Sequence, residues 1–190
     1  CTRSQQDGML PIDQMLATIV VIHKDGKPTD DCAGYRPISL LNAEVKIHAK
    51  VLASRLEKVI TGLIYVDQSG FMPKRNTMLN LTHLNRILEH AENINEDALV
   101  LSLDAKMAFD TKEWDFMFEV LAKLGFGPKY IAWVRLPYSG PLGQVKLNGT
   151  RSCTFNLQRG TRQGCPLSPL IFALVLESLA AWNRQDPLVC

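Results

Sequence analysis

The chain predicts an α/β protein of the α+β kind, with helices packed on one small, mostly antiparallel sheet. Three observations predict it. Short β-branched runs sit beside tight-turn signals, the pattern of antiparallel hairpins. Longer segments between them carry apolar residues at spacings of three and four, which marks helices with one buried face. A length of 190 residues with 46% apolar side chains is enough for one ordinary core and not comfortably for two. A single domain is therefore expected.

After a polar start, residues 17–22 form a β-branched run followed by His23-Lys24-Asp25-Gly26-Lys27-Pro28, a strand entering a tight turn with lysines at its tip. Residues 35–41 are a second extended piece. They lead into a helix in which Val45, Ala49, Leu52, Leu56, Val59, Ile60 and Leu63 recur at helical spacing, while Lys46, Lys50, Arg55 and Lys58 occupy other faces. A loop over 67–75, holding Gly70 and Pro73, separates it from a second helix with the stripe Leu84, Ile87, Leu88 and Ala91. Residues 98–103 are almost continuously apolar, which suits a strand covered on both faces, and this strand delivers Asp104 at its end. Asp110-Thr111-Lys112-Glu113 has capping-box spacing, so Asp110 is expected to open a helix carrying Trp114, Met117, Phe118, Leu121 and Leu124. A further helix should run from Pro128 to about Leu136, with Pro137 ending it early. Two short strands, 144–147 and 154–157, flank Asn148-Gly149, a strong hairpin signal. The last helix starts at Ser168-Pro169 and is apolar on all sides over 170–176, so it must be buried.

A net charge of +2 says little about partners, because separated patches can cancel. Residues 89–119 hold nine acidic residues against two lysines, and residues 129–162 hold six basic residues and no acidic one. The first segment suits cations and the second polyanions; two ordinary solvated faces are the plainer alternative. The five cysteines, at 1, 32, 153, 165 and 190, show no Cys-x-x-Cys pair and no zinc-type histidine spacing. This fits a reduced, intracellular protein, in nucleus or cytoplasm. No signal pattern or bilayer-length apolar run occurs, so no membrane partner is expected.

The chemistry centres on Asp104. A carboxylate at the end of a buried strand needs compensation for its desolvation, either from an arginine or from a divalent metal. The neighbouring residues favour the metal. Leu101-Ser102-Leu103-Asp104-Ala105-Lys106-Met107-Ala108-Phe109-Asp110 resembles the first catalytic motif of the palm of non-LTR (LINE-type) retrotransposon reverse transcriptases. Gly8-Met9-Leu10-Pro11, Tyr35-Arg36-Pro37-Ile38-Ser39-Leu40-Leu41, Asp67-Gln68-Ser69-Gly70-Phe71 and Arg159-Gly160-Thr161-Arg162-Gln163-Gly164-Cys165-Pro166-Leu167-Ser168-Pro169 resemble further blocks of that family. They stand in family order across nearly the whole chain.

The resemblance implies a right-hand polymerase, with fingers to about residue 96 and part of the palm over 97–190. It implies templated nucleotidyl transfer on an RNA template, a DNA primer and deoxynucleoside triphosphates, with two Mg2+ ions stabilising the in-line displacement. Asp104 would be a shared metal ligand and the Ala105 carbonyl another. Arg36, with Lys24 or Lys27 in support, would grip the triphosphate. Phe109 would pack under the incoming sugar and exclude a 2′-hydroxyl, and Gln163 would contact the incoming nucleotide. Gly160 and Gly164 would let backbone approach the substrate. Lys46, Lys50, Arg75 and Arg162 are candidates for template and primer phosphates. For the lysines the plainer reading is a solvated surface, and for Phe109 a core aromatic.

Some positions depart from the pattern. Lys106-Met107 replaces the usual Glu-Lys, and Lys74 stands where a glycine usually precedes the arginine at 75. The family's Tyr-x-Asp-Asp block, expected after the last helix, does not occur before Cys190, so the chain is expected to be an incomplete palm and inactive alone. The alternative is a non-catalytic retrotransposon remnant that at most binds nucleic acid. An aspartate phosphatase or a nucleotide hydrolase fits worse, because Asp104 lacks an aspartate two residues on and no Gly-rich Lys-Ser/Thr loop is present. No protein partner is indicated.

Overall fold

The structure, a computed structural model, describes residues 8–105 and 107–185. A short helical turn, α1 (Ile12–Met15), runs straight into β1 (Leu16–His23). The chain turns at Gly26, whose φ of 74° needs glycine, and returns as β2 (Tyr35–Leu40). The two strands pair antiparallel from Thr18↔Leu40 to His23↔Tyr35. Four helices follow: α2 (Ala43–Leu56), α3 (Thr77–Asn93), α4 (Trp114–Lys123) and α5 (Pro128–Arg135). They form the crossover that lets β3 (Leu142–Leu147) lie parallel to β1, from Leu16↔Leu142 to Val20↔Lys146. Asn148 and Gly149, with φ of 49° and 83°, make the expected tight turn into β4 (Thr150–Arg151). After β5 (Phe155–Asn156), which also pairs with β3, the chain ends in α6 (Ser168–Asn183).

The mixed α/β architecture is the predicted one, and three of the four strand pairings are antiparallel. The main core is helix on helix. Leu52 and Leu56 of α2, Met117 and Leu121 of α4, Val134 of α5 and Ile171 and Leu174 of α6 are all buried. The sheet joins it through a small cluster of Ala17, Leu41 and Val45. Over the expected stretch 170–176, α6 is buried at Leu170, Ile171, Ala173, Leu174 and Val175 but only half-buried at Phe172 and Leu176, and its later residues Leu179 and Trp182 are 52% and 64% exposed. Pro137 ends α5 and starts a single 3-10 turn over Leu136–Tyr138.

Besides the helix expected to run on through Leu63, which ends at Leu56 before a separate 3-10 turn at Ile60–Gly62, three expectations fail. Residues 98–103 form no strand, and Leu99, Leu101 and Leu103 are 94%, 75% and 79% exposed. No strand among the described residues pairs with this run, and an apolar segment without a ladder partner does not hold a strand by itself. The stripe on α3 is at most half-covered, and no residue of that helix is buried. The third failure is the capping box. Helix α4 begins at Trp114 with Glu113 as N-cap and no side-chain cap bond, because the Asp110 carboxylate is engaged elsewhere.

Two tyrosines brace the core. Burial pushes the Tyr130 phenol up to about 12, against a smaller opposing pull from Arg55, and its hydroxyl donates to the Leu52 carbonyl at 3.2 Å. Burial, followed by Cys165, raises Tyr138 as well. The folded protein therefore keeps protons that the unfolded chain releases near pH 10, so stability falls as pH rises beyond that point. Urea midpoints measured from pH 8 to pH 11 are expected to decline, and Tyr130→Phe should flatten the decline. An unchanged slope in that variant would contradict the assignment.

Candidate functional site

The turn over 159–164 is the hub of the site. It is held from two sides by residues far away in sequence. On one side, Gly160 N–H donates to the Lys112 carbonyl at 2.7 Å, and the Thr161 N–H donates to the Phe109 carbonyl. The Trp114 indole N–H returns a bond to the Gly160 carbonyl at 2.8 Å. On the other side, the Ser39 N–H of β2 donates to the Gln163 carbonyl at 2.8 Å. Between them opens a cleft of about 350 Å³, lined among others by Pro37, Ser39, Asp110, Arg159, Gly160 and Gln163.

Within the cleft Gln163 Nε2 donates to Asp110 Oδ2 at 3.2 Å. Burial raises the Asp110 carboxyl above its ordinary value, and the bond from Gln163 opposes this more weakly. Beside the site, Phe109 packs in an aromatic cluster, 5.1 Å from Phe172 and 6.0 Å from Phe71 between ring centroids. The Lys112 ammonium lies 4.8 Å over the Phe172 ring, and burial lowers its pKa.

The structure thus draws together Gln163, Gly160 and the chain around Phe109 with the block that contains Arg36. Arg36 itself is exposed on β2, opposite Ile22. Other expected residues lie elsewhere. Asp104 and Ala105 are exposed in an irregular segment, so the desolvation argument for a cation at Asp104 loses its premise. Lys46 and Lys50 are exposed on α2, one turn apart on the same face.

Several side chains have structural partners in place of the expected substrate. The Lys24 ammonium donates to the Ala33 carbonyl at 2.8 Å and closes its own hairpin loop. The Arg75 guanidinium donates to the carbonyls of Tyr65, Gln68, Thr61 and Ile64, which leaves its fork little capacity for a phosphate. Arg162 is only 8% exposed and donates to the carbonyls of Met15 and Pro137. Its guanidinium faces inward, where burial lowers its pKa. The glycines also answer to protein contacts. A Cβ at Gly164 would lie 2.9 Å from the Ser39 carbonyl oxygen, and one at Gly160 would strike Asp110.

The residue that sequence reasoning misplaced is Asp110. Its capping-box spacing hid it, although its position directly after Phe109 in the motif was an available signal. Metal is a separate matter. No group of three or more His, Cys, Asp or Glu side chains placed to hold a metal occurs among the described residues. These residues therefore do not fit a complete two-ion site, which needs several oxygen ligands at each ion. No helix among them is long and apolar enough to cross a membrane.

Comparison with known proteins agrees with the motif order. The profile of the reverse transcriptase (RNA-dependent DNA polymerase) family matches residues 22–190. The chain is 31% identical over 184 residues to the transposon TX1 uncharacterized 149 kDa protein of Xenopus laevis, covering 97% of this chain and 14% of that protein. It is 30% identical over 175 residues to the Pol polyprotein of the type-2 retrotransposable element R2DM of Drosophila melanogaster, covering 90% of this chain and 16% of that one. Against the RNA-directed DNA polymerase of the Drosophila melanogaster mobile element jockey, identity is 32% over 175 residues, 90% of this chain and 19% of that one. The chain thus spans well under a third of the curated relatives it matches. With the ordered blocks, the converging turn and a family match over most of its length, the chain belongs to the reverse transcriptase family, in its non-LTR retrotransposon branch.

Proposed function

We propose that this chain is the nucleotide- and template-handling segment of an RNA-directed DNA polymerase, with residues to about 96 serving as fingers and those from 97 as part of the palm. One observation carries the reading. Blocks at 35–41, 101–110 and 159–169, far apart in sequence, meet around a single cleft through Ser39, Asp110 and Gln163. Its ligands are an RNA template paired with a DNA primer and the matching deoxynucleoside triphosphate. The exposed Arg36, Lys46 and Lys50 are free to meet phosphates, and such contacts weaken with salt. Free Cys32, Cys153 and Cys165 fit a reducing compartment.

The reaction proposed for the complete enzyme joins a primer 3′-oxygen to the α-phosphate of the nucleotide and releases pyrophosphate. The resemblance asks for two Mg2+ ions there, and Asp104 alone does not make such a site. The role of these residues is therefore binding and orientation, and the chain alone should give no primer extension. Template-dependent product from the purified chain would overturn that statement.

Binding tests the reading directly. Fluorescence anisotropy with a poly(rA)/oligo(dT) hybrid should show affinity that falls steadily with salt, and Lys46→Glu should lower the salt slope by about 1. Absence of binding at low salt sinks the proposal. A non-catalytic remnant that binds only nucleic acid is the second reading, favoured by the position of Asp104 outside the cleft. Preferential capture of dTTP over dGTP by the hybrid complex separates the two, since only the polymerase segment selects the template-matched nucleotide.

A further inference from the structure

We propose that Asp110 is a positioning residue for Gln163: its carboxylate holds the glutamine side-chain amide across the cleft in the orientation that receives the incoming deoxynucleotide. The proposal rests on the polymerase reading above and extends it to a residue that capping-box spacing assigns to a helix N-cap.

The geometry supports a fixed relation between the two. Gln163 is anchored at both ends, its main-chain carbonyl to Ser39 N–H at 2.8 Å and its Nε2 to Asp110 Oδ2 at 3.2 Å. Asp110 is itself immobilised. Its N–H donates to the Met107 carbonyl at 2.9 Å, and Gly160 approaches so closely that an added Cβ would sit 2.9 Å from the Asp110 Cα. The carboxylate is not consumed by α4, whose N-cap is Glu113. An ionised carboxylate only accepts hydrogen bonds, so it selects the nitrogen end of the amide and turns Oε1 away from itself. This leaves one acceptor and one remaining N–H of Gln163 in a defined direction for a ligand in the cleft. Without the carboxylate a glutamine has several rotamers of similar energy, and ordering it becomes a cost of binding.

The test uses the chain bound to the poly(rA)/oligo(dT) hybrid, with dTTP as probe. Asp110→Ala is expected to weaken dTTP binding about tenfold while leaving hybrid affinity unchanged. Gln163→Ala should lose the same amount, and the double variant no more than either. Gln163→Glu sets two carboxylates face to face and should bind dTTP poorly, whereas Asp110→Asn with Gln163→Glu restores a donor–acceptor pair and should recover part of the loss, since the introduced glutamate keeps the positioned acceptor but not the N–H. A purely structural Asp110 would not yield that recovery. Additive losses, or no recovery in the swapped pair, overturn the proposal.

A second measurement covers the case of an Asp110→Ala chain that does not fold. The side-chain amide protons of Gln163 in the 15N-labelled chain should exchange slowly with solvent in the wild type and in Asp110→Asn, and rapidly in Asp110→Ser. Resonances indifferent to residue 110 overturn the proposal by themselves. Loss of dTTP binding by the wild-type chain overturns the polymerase reading, and the proposal with it; intact wild-type binding that is indifferent to residue 110 overturns the proposal alone.

Discussion

Gly160→Ala is expected to destabilise the folded chain by about 3 kcal/mol, the sum of a left-handed backbone penalty and an overpacking cost. The residue has φ of 85°, where a side chain is strained whatever the space around it. Space is also lacking. The new Cβ would lie 2.8 Å from the Asp110 carbonyl oxygen and 2.9 Å from both the Asp110 Cα and the Phe109 carbonyl oxygen. These are backbone atoms that no rotamer change can move aside. Relief requires the turn over 159–164 to lift away from 109–112, which breaks the bonds from Gly160 and Thr161 together. Urea unfolding of the purified variant measures the loss, and a change below about 1 kcal/mol would show that the turn is not locked as described. The surviving folded fraction should also bind dTTP weakly, because Gln163 moves with the turn.

Arg184→Ala is expected to cost roughly 3 kcal/mol, the low end of the range for stripping a partner from a buried charge. Glu177 on α6 is only 7% exposed, and its Oε1 accepts from Arg184 Nη2. The same guanidinium donates to Asp67 Oδ2 at 2.8 Å and lies 4.6 Å over the Tyr65 ring. One side chain thus neutralises a buried carboxylate and ties the loop after α2 to the last helix. The low end applies because the Arg184 side chain is itself 29% exposed, so part of its interaction is screened. The second carboxylate oxygen of Glu177 has no protein partner, which makes the group more dependent on the arginine. Chemical denaturation of the single and double variants decides the matter. Glu177→Gln should remove much of the penalty in the Arg184→Ala background. Equal losses with and without the glutamine would mean that packing against Tyr65, not charge, is what the arginine supplies.

The two expected losses fall on residues that the sequence does not single out in the same way. Gly160 was visible as one of the glycines bracketing the turn before the last helix, but a motif cannot say that the crowding atoms belong to Asp110. Arg184 and Glu177 carry no motif at all, and their pairing depends on where α6 meets the loop around Asp67. For Asp110 the local pattern misleads. Capping-box spacing describes a favourable local bond, and a tertiary partner, Gln163, outcompetes it once the turn over 159–164 is docked.

What the sequence determined by itself is whatever depends on neighbours a few residues apart. The β1–β2 hairpin, the Asn148-Gly149 turn, the end of α5 at Pro137 and the burial of most of the first half of α6 follow from local backbone preferences and apolar periodicity. The ordered blocks fixed the family as well. Tertiary structure alone decided the rest. Strand formation at 98–103 requires a ladder partner, and none is present among the described residues, so an apolar run that reads as a buried strand lies exposed with Asp104 at its end. Arg75 and Arg162 read as phosphate ligands because arginine is the usual residue for that task. They instead donate to backbone carbonyls, Arg162 from a buried position and Arg75 from a partly covered one, since backbone oxygens withdrawn from water need donors and only the assembled chain shows which lack them. A residue type and its spacing specify which bonds it can make; which partner it takes is settled by distances between segments that only folding brings together.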